Sequence, residues 1–133
     1  MRKIIVMLLL VALDGSAMAE WTKVTEEKDG SAVYYSDTSS IQNSSGGLIT
    51  IWELNDFKDQ DDNGSKSTKI QAEYNCVNEQ FRVHSVTVYS QNMGRGEVIA
   101  ALSPSDTKYQ PISPDSAESA VAYAMLKFAC GKK

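Results

Sequence analysis

From Lys69 to Cys76 the chain reads Lys-Ile-Gln-Ala-Glu-Tyr-Asn-Cys. Polar residues hold the odd positions, and Ile70, Ala72, Tyr74 and Cys76 hold the even ones. Successive side chains of a strand point to opposite faces, so this alternation specifies a strand with one dry and one wet face. Cys76 lies on the dry face, and the only other cysteine is Cys130, at the far end of the chain. Whatever Cys76 bonds to must cover that face.

The redox state of the pair depends on where the protein resides. Arg2 and Lys3 precede the apolar run Ile4–Leu13, and Ala17-Met18-Ala19 stands before Glu20. A basic start, a short apolar run and an A-x-A site make up a cleaved export signal. The run is too short for a permanent bilayer span. We read residues 1–19 as signal peptide and 20–133 as one domain; a buried N-terminal element is the alternative. No cysteine follows the apolar run to carry a lipid, so the expected location is periplasmic or secreted. In an exported chain two cysteines most simply form one disulfide, here Cys76–Cys130. Free thiols or an intermolecular pair are the alternatives.

The formal net charge is −4, and losing Arg2, Lys3 and Asp14 makes it one unit more negative. An acidic chain without a basic cluster argues against nucleic acid and anionic membranes as partners.

Further strands flank the central one. Trp21–Val24 and Ala32–Ser36 are joined through Asp29-Gly30, a hairpin signal. Leu48–Phe57 is apolar on both faces, which suits a central strand. Gln80 to about Gln91 changes phase, with Phe81 and Val83 on one parity and Val86 and Val88 on the other. A bulge near His84 or Ser85 would bring all four to one face; a twisted strand burying both faces is the alternative. Glu97–Leu102 is a sixth strand. Pro104 and Pro111 mark an extended connection. A helix follows, with Ser113 as cap, Pro114 at its first position, Asp115 and Glu118 near its positive end, and Gly131 as its stop.

That helix carries two apolar stripes: Ala122, Leu126, Ala129 and Cys130, and Val121, Ala124, Met125 and Phe128. We dock the first on the Cys76 strand and leave the second for a loop or partner. The expected fold is α+β, about six antiparallel strands with one C-terminal helix disulfide-linked to one face. The wet face, with Lys69, Gln71 and Glu73, is expected to be open to solvent or a partner.

Catalytic signals are weak. His84, the only histidine, has no partner marked by sequence, and Glu97 beside the Gly94-x-Gly96 turn has no assigned role. Asp59 to Gly64 fits the first half of a calcium-binding EF-hand loop, but Ile70 stands where the motif needs a glutamate. A solvated hairpin tip is the simpler reading. We expect no cofactor, no metal and no catalytic residues.

The order of signals resembles the surface-adhesin protein E family. The matching pieces are Glu20-Trp21-x-x-Val24, Tyr34-Tyr35-x-Asp37-x-x-Ser40-Ile41, Trp52-x-Leu54-x-Asp56-Phe57-Lys58 and Lys69-x-x-Ala72-Glu73-Tyr74-x-Cys76. Phe81-Arg82, Tyr89-Ser90-x-x-Met93-Gly94-x-Gly96-Glu97 and the terminal helix ending at Cys130 continue them. The resemblance implies a six-stranded antiparallel sheet tied by a disulfide to a C-terminal helix. It also implies a non-enzymatic module that binds host matrix or envelope proteins and can form a homodimer. A structural envelope protein and a small-ligand carrier or enzyme using the sheet face are the alternatives.

Overall fold

The computed structural model describes residues 19–105, 107–113 and 119–131. Residues 1–18 of the expected signal peptide and the expected helix start at Pro114, Asp115 and Glu118 lie outside the described residues.

Eight strands form one antiparallel sheet. They are β1 (Trp21–Glu26), β2 (Ala32–Asp37), β3 (Gln42–Ser44), β4 (Leu48–Phe57), β5 (Ser67–Asn75), β6 (Gln80–Tyr89), β7 (Val98–Leu102) and β8 (Gln110–Pro111). The main order is β1-β2-β4-β5-β6-β7, with β3 paired to β4 and β8 paired to β6. The helix α1 spans Ala120–Gly131. The six expected strands are the six of the main path. The two short ones fall in stretches read as irregular, where two or three residues give no periodic signal.

Ile70, Ala72, Tyr74 and Cys76 share one face, as the alternation of β5 predicts. Ala72 and Tyr74 are buried in one core with Ile49 and Ile51 of β4 and Met125, Leu126 and Ala129 of α1. We call this the core face. Cys76 and Cys130 are bonded to each other, 54 residues apart in sequence, and so tie α1 to the end of β5. Leu126 and Ala129 come from the stripe expected to dock. Met125 is buried too, and Val121 lines a cavity against the sheet. The second stripe is thus not held back for a partner as a whole, because α1 lies across β1, β2, β4 and β5 and turns more than one row of side chains inward.

The phase change in β6 is a bulge at His84. Gln71 faces Ser85 while the next residue, Ala72, faces Val83, which leaves His84 as the extra residue. Phe81, Val83, Val86 and Val88 then pair with Tyr74, Ala72, Ile70 and Thr68. All four sit on the core face.

On the outer face Leu54 is fully buried. The 3-10 turn Asn92–Gly94 folds back over it, bringing Gly94 close to the Leu54 side chain. Asp56 Oδ1 accepts the Met93 N–H at 2.8 Å and the Asn92 Nδ2 at 3.0 Å, while Ser67 Oγ accepts the Gly94 N–H at 2.9 Å. At Gly96, φ is +82°, and a Cβ would come within 2.4 Å of Ser90 Oγ. Only glycine closes this loop without a shift.

Candidate functional site

Three places on this frame offer chemistry or contact. The first is β7. Its sequence Val-Ile-Ala-Ala-Leu is apolar throughout, and every residue of it is exposed. Val98 is 56%, Ile99 40% and Leu102 62% exposed. The strand pairs with β6 along one edge, and no described strand pairs along the other. The register slips at Ile99, between the Val98–Tyr89 and Ala100–Val88 pairs. An edge of this kind offers unpaired backbone N–H and C=O groups beside apolar side chains, a template for an added strand.

The second is a polar cluster around Glu73 on the outer face. This carboxylate is 7% exposed. Its Oε1 is 2.7 Å from His84 Nε2, and its Oε2 is 3.3 Å from Arg82 Nη2 and accepts the Tyr109 O–H. The Arg82 guanidinium also lies 4.6 Å from the Tyr109 ring centroid. Burial raises the Glu73 pKa, but hydrogen bonds from Tyr109, His84 and Arg82 outweigh it and hold the carboxyl below its usual value. The wet face of β5 is therefore closed at Glu73, contrary to expectation. The segment after β7 returns along β6, where the Thr107 hydroxyl donates to Val83 O and β8 pairs with Gln80 and Phe81. Tyr109 is carried over Glu73 by that return, a non-local contact that alternation in β5 does not encode.

The third place is a cavity of about 430 Å³ between the core face and α1. Glu53 of β4 lines it and is 6% exposed. Its Oε2 accepts the Tyr74 O–H. Burial pushes its pKa up to about 7, with the Tyr74 hydrogen bond opposing. Tyr34 lines the same cavity and donates to Glu27 Oε1 at 2.9 Å. Burial, then that carboxylate, raises the Tyr34 pKa to about 12.

The residues singled out from sequence fall in different places. His84 is the β6 bulge and an outer-face partner of Glu73. Glu97 is exposed and closes the 90–97 loop through its backbone, its N–H donating to Ser90 Oγ and its C=O accepting from Ser90 N. In the acidic loop, Asp61 Oδ1 accepts the N–H groups of Asn63 and Ser65 at 2.9 Å each. That loop is a hairpin tip closed by its own carboxylate. Glu53 was missed because a glutamate in a strand apolar on both faces carries no mark of burial.

A family profile described as surface-adhesin protein E matches residues 21–131. No curated protein matches the chain. Among solved structures, crystal form II of Haemophilus influenzae protein E is similar at 16% identity and a TM-score of 0.57, covering 82% of this chain and 87% of that one. A structure of protein E from non-typeable Haemophilus influenzae is similar at 15% identity and a TM-score of 0.51, covering 86% of each chain. At such identities the likeness shows a shared fold.

Proposed function

Because this chain belongs to the surface-adhesin protein E family, we propose that it is an exported, non-enzymatic protein-binding module whose contact strand is β7. The observation that carries this reading is the fully exposed apolar edge from Val98 to Leu102. Natural edge strands are normally blunted by lysine, proline or a covering loop. β7 has neither lysine nor proline. Strand addition by a host matrix or envelope protein would pair its free backbone groups and cover Val98, Ile99 and Leu102. Export is supported by the signal-like residues 1–19 and by the Cys76–Cys130 bond, since disulfides persist in oxidising compartments. The non-enzymatic reading is supported by the match to a family of surface adhesins.

The test is surface plasmon resonance against purified host matrix and serum proteins and envelope extracts, with wild-type protein and an Ile99→Lys/Leu102→Lys variant. Both side chains are exposed, so circular dichroism of the variant should match wild type. Binding should weaken at least about tenfold, the scale of losing one interface anchor. A variant that binds as tightly as wild type rules β7 out.

The same edge suits a second copy of the chain. Two β7 strands related by a two-fold axis would pair antiparallel and cover each other's apolar side chains. A homodimer of this kind should dissociate in the same variant, as read by light scattering across a dilution series.

A further inference from the structure

The cavity beneath α1 is unconnected with strand addition at β7. Its volume of about 430 Å³ lies in the range of small-ligand sites. Ile70, Phe81, Val83 and Met125 supply apolar wall, and the polar lining is Glu27, Glu53, Tyr34, Tyr74 and Asn55. Among the described residues no lysine, arginine or histidine lines it.

Glu53 is the buried acidic group that an occupant would meet. It is more than nine-tenths buried, its Oε2 takes the Tyr74 O–H, and the carboxyl lines the cavity. An ionised carboxyl at that depth is costly without a counter-charge. A hydrocarbon occupant would not satisfy it. An anion would meet two carboxylates and no counter-charge. A protonated amine supplies that counter-charge and gains from the aromatic rings of Tyr34, Tyr74 and Phe81, which line the same space.

We propose that this cavity binds a small organic ammonium ion, its charged head on Glu53 and its aromatic or alkyl body against Ile70, Phe81, Val83 and Met125. Binding is coupled to one proton. With a pKa near 7, Glu53 is mostly protonated in mildly acidic solution and releases that proton to solvent as the ammonium ion enters. The titratable neighbours in the lining are Tyr34, Tyr74 and Glu27. Both phenols are raised above their usual value, so they remain neutral donors. Affinity therefore rises with pH up to about 7 and falls about tenfold per unit below it.

Titration calorimetry with 2-phenylethylammonium chloride on the mature chain, in two buffers of different ionisation enthalpy, tests this directly. Near pH 6 the expected result is binding with release of close to one proton. The neutral isostere 2-phenylethanol should bind at least about tenfold more weakly near pH 8. Glu53→Gln keeps an acceptor for Tyr74 but removes the charge, so it should lower ammonium affinity by a similar factor and abolish proton release. Val121→Trp fills the cavity from α1 and should block binding. No heat of binding, equal affinity for the alcohol, or an unchanged affinity in either variant overturns the proposal.

Discussion

At the scale of single residues, two buried glutamates behave in opposite ways. Glu73 meets three donors and stays ionised; Glu53 meets one and is pushed towards neutrality. The difference has a thermodynamic consequence. With a folded pKa of about 7 against the usual 4.5, the folded state of Glu53 binds more protons than the unfolded state between those values. Stability must therefore fall as pH rises through that window. At about 1.4 kcal/mol per pKa unit, the ionised carboxylate costs the fold roughly 3 kcal/mol at pH 8. Glu53→Gln should be more stable than wild type by about that amount near pH 8, with the gap closing near pH 5, in urea denaturation. An equal gap at both pH values would place Glu53 in water. Neither environment was legible in the sequence. Alternation in β5 reports which side Glu73 faces, and the tyrosine that covers it arrives from 36 residues downstream.

At the scale of elements, local patterns carried further. The phase change between Val83 and Val86 points to a bulge near His84 or Ser85, and the strand register places it at His84, returning Phe81 and Val83 to the face of Val86 and Val88. Alternation around Cys76 likewise specifies the face that α1 covers. What the pattern missed was breadth: Met125 joins Leu126 and Ala129 in the core, so the two stripes on the helix are not separately assigned. β3 and β8 are short strands whose register comes from their partners rather than from their own residues. The disulfide belongs to this scale as well. Closing a segment of 54 residues restricts the unfolded chain by roughly 4 kcal/mol on the loop-entropy account. Cys76→Ser/Cys130→Ser should lose about that much stability and shift the urea midpoint downward. A midpoint equal to wild type would show that α1 holds its place by packing alone.

At the scale of the molecule, the sheet is asymmetric in how its exposed parts are finished. On the core face α1 crosses β1, β2, β4 and β5, while the Asn92–Gly94 turn and the Tyr109 segment cover parts of β4, β5 and β6 on the other. β1, at one end, is amphipathic, with Val24 against the core and Lys23 paired to Glu26 at 2.9 Å. β7, at the other end, is apolar and bare. The sequence predicts a strand at Glu97–Leu102 but not that it ends the sheet, since an apolar run of five also fits a buried strand. Position, rather than composition, makes it a contact surface. Hydrogen–deuterium exchange of the mature protein, free and bound to a protein partner identified by surface plasmon resonance, tests the β7 assignment most directly. The account predicts that amides of Val98 to Leu102 exchange fast in the free protein and become protected on binding. Protection confined to other surfaces, with exchange in β7 unchanged, would contradict it.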